Sequence, residues 1–315
     1  MDNVFVIGDV HGNLDRLEAL LRQEGLLDRC EACKGSGMRP SPPRPRWVED
    51  DNVNYDGITG DCRTCKGLGW ARLHPEVTVV QLGDLAHLGH GGSPTGDLLC
   101  YKYVTENDWC DVVLWGNHDR AMVDKDHAFT GFQRNMEVGE YIAKLFEQGR
   151  LQTAFEAHGF LLTHAGLALA FGQQKVDDKL KYDESAFVEW INDQDELWLG
   201  KDEAFAADTQ AVGIVNAIGR KRGGTSAVGG ILWRDIEEGL YDGFRQIFGH
   251  SADDRKHQVR YAGKRNFTRK PPENWTGSYC IDVGGKPGRP NKNGYNPNTL
   301  AGIWLPSEKI AKVEL

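Results

Sequence analysis

Short apolar runs alternate along this chain with polar, glycine-rich stretches, and five of those runs finish on Asp, Asn or His. Residues 4–7 lead into Gly8-Asp9-Val10-His11-Gly12, residues 77–82 into Gly83-Asp84, and residues 111–115 into Gly116-Asn117-His118-Asp119. Residues 160–163 lead into His164-Ala165-Gly166, and residues 244–248 into Gly249-His250. Runs this short, rich in β-branched and aromatic residues and bounded by glycine, predict buried strands. After the first of them, Asn13 is placed to cap a helix whose apolar stripe is Leu14, Leu17, Leu20, Leu21 and Leu27. Between His164 and His250 the spacing turns helical, through Phe187, Trp190, Ile191 and Leu197-Trp198-Leu199 and again over 211–218, and predicts a helical cap or side wall to a cleft. Residues 278–285, 300–305 and 310–314 read as strands of a second sheet, with a long Gly- and Pro-rich loop over 284–297. The fold class expected is α/β, two sheets packed as a sandwich with helices outside.

In α/β sheets the carboxyl ends of strands gather on one rim, so donors that follow five strands should converge there. The set is two aspartates, one asparagine and three histidines, hard oxygen mixed with imidazole and without thiolate. It suits Mn, Fe, Zn, Ni or Co and suits Ca poorly. Six protein donors are too many for one catalytic ion that keeps an open position, and fit two ions a few Å apart with a shared carboxylate, an arrangement used for displacement at phosphorus.

In order and approximate spacing these five blocks resemble the calcineurin-like metallophosphoesterases, over nearly the whole chain apart from insertions. The last block carries Ala252 where phosphodiesterase branches often have a second His, so the chain looks most like the branch of phosphoprotein phosphatases and symmetrical dinucleoside tetraphosphatases. The resemblance implies that Asp9 and His11 bind the first ion, that Asp84 bridges, and that Asn117, His164 and His250 bind the second. It also implies a metal-bridging water as nucleophile, His118 as the general acid for the leaving oxygen, and Asp119 as a support for His118. The chain departs from both groups in the second block, where His87 and Leu88 stand in place of the Asp and Arg of the phosphoprotein phosphatases, and the tetraphosphatases lack that Asp but keep the phosphate-binding Arg. Candidates for the missing cation are Arg222 in Lys221-Arg222-Gly223-Gly224, Arg234 in Leu232-Trp233-Arg234-Asp235, and Arg120, while His87 and His90 are further loop candidates.

A second, independent signal is a repeated C-x-x-C-x-G-x-G: Cys30-Glu31-Ala32-Cys33-Lys34-Gly35-Ser36-Gly37 and Cys62-Arg63-Thr64-Cys65-Lys66-Gly67-Leu68-Gly69. Two such knuckles present four thiolates to one tetrahedral zinc, and the glycines let the backbone curl around the sulfurs. The spacing resembles the zinc repeats of DnaJ-type chaperones; paired C-x-x-C redox chemistry is the competing reading. Between the knuckles, the Pro- and Arg-rich run at 39–46 cannot pack a core and reads as an exposed loop. The expected organisation is therefore a catalytic domain of residues 1–29 and 71–315 interrupted by a zinc ribbon at 30–70.

With 315 residues, 40% of them hydrophobic, the chain can bury a large core. Its formal net charge of -9 argues against nucleic acid as a general partner. No stretch approaches the length of a membrane span, and the unpaired set Cys100, Cys110 and Cys280 points to a reducing cytoplasm. The function expected is dinuclear metal-dependent hydrolysis of a phosphoester carried by a small molecule, nucleotide or phosphoprotein. The alternative within the class is a dinucleoside polyphosphate or nucleotide hydrolase. From another class, the alternative is a non-catalytic metal-binding adaptor that meets a protein partner through its ribbon.

Overall fold

The computed structural model describes residues 3–34, 62, 65, 69–85, 94–106, 109–124, 134–170, 183–199, 209–251, 259–262, 267–268, 277–283 and 299–314. It divides into two compact units, Met1–Leu20 with Glu76–Leu315, and Leu21–Pro75. Among the described residues no helix is long and apolar enough to cross a membrane.

The larger unit contains two six-stranded sheets. In the first, β1 (Asn3–Ile7), β4 (Val77–Gln81), β5 (Val112–Leu114) and β6 (Leu151–Gln152) run parallel. The hairpin β13 (Thr299–Leu305) and β14 (Lys309–Glu314) joins the β1 edge antiparallel. In the second, β8 (Phe160–Thr163), β9 (Arg245–Phe248) and β12 (Ser278–Cys280) are parallel. The strands β7 (Ala154–Ala157), β10 (Arg260–Ala262) and β11 (Phe267–Thr268) complete it. Val4, Val6, Val80, Leu82 and Leu114 of the first sheet share one buried cluster with Phe160, Leu162, Ile247, Tyr279 and Ile281 of the second, which makes the pair a sandwich. Phe5 and Ile7, which point to the other side of β1, are buried too, so the strand is covered on both faces and reads as a continuous apolar run.

Among the described residues the helices of this unit include α1 (Leu14–Gln23, at its start), α2 (Pro94–Glu106), α3 (Asn117–Val123), α4 (Met136–Glu147), α5 (Glu184–Leu199) and α6 (Thr209–Asn216). Asn13 caps α1 as expected, its Oδ1 accepting the Arg16 N–H at 3.1 Å. The segment expected to wall a cleft does form helices α5 and α6, and α5 is fastened to the second sheet. Phe187 and Ile191 are buried, and the Asn192 amide bonds both the N–H and the C=O of Ala154 at 3.0 Å. The side chains of Leu197, Trp198 and Leu199, the Pro-Arg run, the loop after Val283, and His87, Leu88, His90 and Ala252 lie outside the described residues.

The smaller unit holds the end of α1 and the antiparallel pair β2 (Leu27–Arg29) and β3 (Trp70–Arg72). Leu27 thus belongs to a strand and not to the helix stripe. The helix stops because Gly25 takes φ 72°, and the Leu26 and Gly25 amides turn back onto the carbonyls of Leu21 (2.8 Å) and Arg22 (3.0 Å). This closing loop is a Schellman motif, which needs a left-handed residue that glycine supplies without strain. The four cysteines form their own buried cluster, with Cys30 and Cys62 sulfurs 3.8 Å apart and those of Cys33 and Cys65 3.6 Å apart.

Candidate active site

Three of the five expected strands deliver a donor through a loop of unusual backbone. His11, Asp84 and His250 all sit in the left-handed region, at φ 52°, 54° and 65°. Such conformations cost a non-glycine residue about 1 kcal/mol or more and cluster where the surroundings need a side chain aimed in one direction. The loops are tied to one another: the His11 N–H donates to Asp84 O at 2.8 Å and the Gly12 N–H to Leu85 O at 2.6 Å. Two glycines are required by close approach. A Cβ on Gly116 would collide with the Asp84 amide and carboxylate, and one on Gly249 with the Asp9 carboxylate.

The six donors form two groups that share one member. Asp9, His11 and Asp84 make the first and Asp84, His164 and His250 the second, with ligand atoms in each lying within 4.8 Å of one another. Asn117 completes the second group from the start of α3. Its Oδ1 lies 3.0 Å from His164 Nε2 and 2.8 Å from His250 Nδ1, and the two ring nitrogens are 3.1 Å apart. His164 Nδ1 faces Leu82 O at 2.9 Å, which fixes the proton there and leaves the Nε2 lone pair pointing inward. Asp84 Oδ1 lies 3.6 Å from that same Nε2.

The electrostatics of these groups ask for a cation. Burial, then the nearby Asp282 and Asp84, hold the Asp9 carboxyl well above the usual carboxylate range. Asp9 Oδ1 is buried without a hydrogen-bond partner among the described residues, while Oδ2 accepts the His250 N–H at 3.0 Å. Burial, against the pull of Leu82 O, lowers His164 to about 3. Burial, followed by the positive charge of Arg222, lowers His250. Neutral imidazoles with converging lone pairs, beside carboxylates that repel one another, are the donor set of divalent first-row metals. In the smaller unit, burial and the neighbouring thiols push Cys65 up to about 12, so four thiolates there likewise need a cation among them.

His118 stands beside this cluster without belonging to either group. Its backbone N–H donates to Asp84 Oδ1 at 2.9 Å, its Nε2 is 3.9 Å from Asp84 Oδ2, and its ring stands edge-on to His11 at 5.5 Å. Asp119 turns the other way, accepting the amides of Asp84 (2.7 Å) and Gly116 (2.8 Å) on Oδ2 and the Tyr101 hydroxyl on Oδ1.

The arginine candidates separate by position. Arg222 is partly exposed, pairs with Asp235 at 3.0 Å and donates to the Ser251 hydroxyl at 3.2 Å, next to His250. Arg234 is fully buried on the carbonyls of Ala165 (2.8 Å), Asp235 (3.3 Å) and Gly239 (3.3 Å), with Phe248 beneath it. Burial lowers it to about 10, and it remains a cation at neutral pH. Arg120 is also fully buried, over the Trp115 ring at 5.2 Å. Two acidic groups of the site escaped the sequence reading. Asp282 follows β12 as the other donors follow their strands, and Asp97 of α2 lies where a side chain on Gly12 would have to go.

A profile of the calcineurin-like phosphoesterases matches residues 3–253. Among solved structures the chain is similar to one titled a putative diadenosine tetraphosphatase at 17% identity, covering 99% of this chain and 92% of the other, with a TM-score of 0.41. It is similar to a variant of a cold-active protein tyrosine phosphatase at 14% identity, over 98% of this chain and 77% of that one, with a TM-score of 0.51. The cold-active protein-tyrosine phosphatase of a psychrophilic Shewanella matches at 13% identity, over 98% and 77%, with a TM-score of 0.51. These structural likenesses concern the fold alone. No curated protein matches the chain by sequence.

Proposed function

Since the chain belongs to the calcineurin-like phosphoesterase family, a family of metal-dependent hydrolases, we propose that it hydrolyses a phosphomonoester at the rim where the two donor groups meet. The observation that carries this reading is the position of Asp84, the one residue common to both groups. Asp9 and His11 would hold one cation with Asp84, and Asn117, His164 and His250 the other. When bound, two divalent ions supply positive charge for the phosphoryl oxygens and acidify water between them.

The rest falls to the side chains. His118, fixed through its amide to Asp84 and facing the cluster, carries the proton to the leaving oxygen. Arg222, close enough to His164 and His250 to lower both, contacts the phosphate in place of the arginine that Leu88 replaces. Arg234 holds the loop beneath it. The mixed oxygen and imidazole donors favour Mn, Fe, Zn, Ni or Co in this site, and the four sulfurs of Cys30, Cys33, Cys62 and Cys65 favour one structural zinc. The functional boundaries we assign are a catalytic domain of 1–29 with 71–315 and a ribbon of 30–70 offered to a protein partner. Cys100, Cys110 and Cys280, none of them in a disulfide among the described residues, support a cytoplasmic site of action.

The test is a substrate panel on protein stripped by chelator and reloaded with single metals: p-nitrophenyl phosphate, a phosphopeptide, a dinucleoside tetraphosphate and bis-p-nitrophenyl phosphate. Turnover of the monoesters that is lost on chelation and restored by one of the five metals is expected. A preference for the tetraphosphate would move the substrate class to nucleotides. Absence of any turnover with both groups loaded would favour the adaptor.

A further inference from the structure

We propose that Tyr101 is a positioning residue for Asp84, acting through Asp119 from the far side of the donor cluster. The proposal rests on the reading of Asp84 as the shared metal ligand and extends it to a helix with no recognisable motif.

Asp84 is expensive to hold in place. Its backbone is left-handed, at φ 54°, and it follows Gly83 at φ 94°. A residue in this conformation has a minor population in a free chain, so the surroundings must fix it. The fixing group is the Asp119 carboxylate, one of whose oxygens accepts both the Asp84 amide at 2.7 Å and the Gly116 amide at 2.8 Å. That single oxygen ties the end of β4 to the start of α3, which carries Asn117 and His118. Its position depends in turn on the carboxylate's second oxygen, which accepts the Tyr101 hydroxyl.

Tyr101 is fully buried on α2, and burial together with the Asp119 charge holds its phenol well above the ordinary value, so it remains a donor. Helix α2 also brings Asp97 against Gly12, next to His11. One helix therefore backs both loops that carry the first donor group. Groups hydrogen-bonded to a metal's ligands are worth about 10- to 100-fold in metal affinity or activity, because they determine the direction of the ligand and not its identity, and Tyr101 acts through one such group, Asp119.

The experiment uses the full chain and Mn(II) alone as probe, with free Mn(II) read by its electron paramagnetic resonance signal. Thiolate sites discriminate against Mn(II), so the four-cysteine cluster stays silent. Tyr101→Phe removes one oxygen and keeps the ring. The expected result is a Mn(II) binding midpoint raised by about tenfold or more. Asp119→Asn should raise it too, and the double variant should be no weaker than Asp119→Asn alone, since both changes break one chain of contacts. An unchanged midpoint in folded Tyr101→Phe, or losses that multiply in the double variant, would overturn the proposal. If Tyr101→Phe folds poorly, the two amides that Asp119 accepts give a second readout. Hydrogen exchange at Asp84 and Gly116 that is no faster in Asp119→Asn than in the wild type would also overturn it. Metal binding is measured without turnover, so wild-type protein that binds Mn(II) and cleaves nothing would remove the proposed reaction while this test still decides.

Discussion

Arg222 and Asp235 form an ion pair, Nε to Oδ2 at 3.0 Å, one residue away from Arg234, which is buried on three carbonyl oxygens. The two arginines, one in Lys-Arg-Gly-Gly and the other in Leu-Trp-Arg-Asp, are opposite in duty. Arg222→Ala is expected to lower kcat/KM by about 10- to 100-fold, the worth of a charge-assisted hydrogen bond, and Arg222→Lys to recover only part because the planar fork is lost. Arg234→Ala should leave buried carbonyls without donors and lower stability by roughly 1–3 kcal/mol. Thermal melting and steady-state kinetics on the same three proteins check this. Unaltered kinetics in Arg222→Ala would leave phosphate recognition to the metals and backbone.

Replacing Asp84 by Asn removes the charge that both donor groups use and keeps the shape. Hydrolysis should fall by at least about a hundredfold, several kcal/mol of transition-state stabilisation, with loss of bound metal. Near wild-type turnover at full metal content would sink the assignment of Asp84 as the shared ligand.

His118→Asn makes a different demand. Since His118 lies outside both donor groups, metal content should hold while the rate falls most for substrates whose leaving oxygen needs a proton. A plot of rate against leaving-group pKa should become steeper in the variant. Parallel lines for the two proteins would show that His118 has some other task.

Asp9 and His164 predict how cation binding depends on pH. Asp9 is raised, so in the interval above the ordinary carboxylate pKa of about 4 it still holds a proton that a cation must displace. His164 is lowered to about 3 and has no proton to release above that value. Apparent affinity should therefore rise with pH through the weakly acid range, with proton release coming from Asp9. The stability linkages of the metal-free protein have opposite signs. The Asp9 contribution is present at low pH and is lost as pH rises through its raised pKa. The His164 contribution is full above about 6.5 and is lost as pH falls from there toward 3. Calorimetric titration in buffers of differing ionisation enthalpy counts the protons. Release centred near the ordinary histidine value would show that His164 is not buried as a neutral ring.

The strands and their donors could be read from sequence because the signal is local: an apolar run, a glycine and a ligand lie within ten residues of each other. Asp282 carries the same signature, Tyr279-Cys280-Ile281-Asp282, but the run continued as apolar and glycine, and its place beside Asp9 arises only when β12 pairs with β9. Leu27 was assigned to the α1 stripe because its spacing continues the helical period. The left-handed Gly25 ends the helix before that period can matter. Tyr101 gave no signal at all, since its partner Asp119 is eighteen residues away and no spacing rule joins them. The contrast between Arg222 and Arg234 depends on burial, which a motif does not report.

The two metal systems should also come apart in experiment. Among the described residues the buried cluster at the knuckles consists of the four cysteines themselves, so its order depends on the metal that they hold. Cys33→Ser or Cys62→Ser is expected to release one zinc per chain and to disorder residues from about 30 to 69, seen as loss of hydrogen-exchange protection in β2 and β3. Catalysis on a small phosphoester should persist, because the six oxygen and imidazole donors and His118 all belong to the other unit. Metal analysis and a p-nitrophenyl phosphate assay on one preparation give the answer. A variant that keeps its zinc would show that the knuckles do not hold it, and a folded variant with no activity would make the ribbon part of the active site.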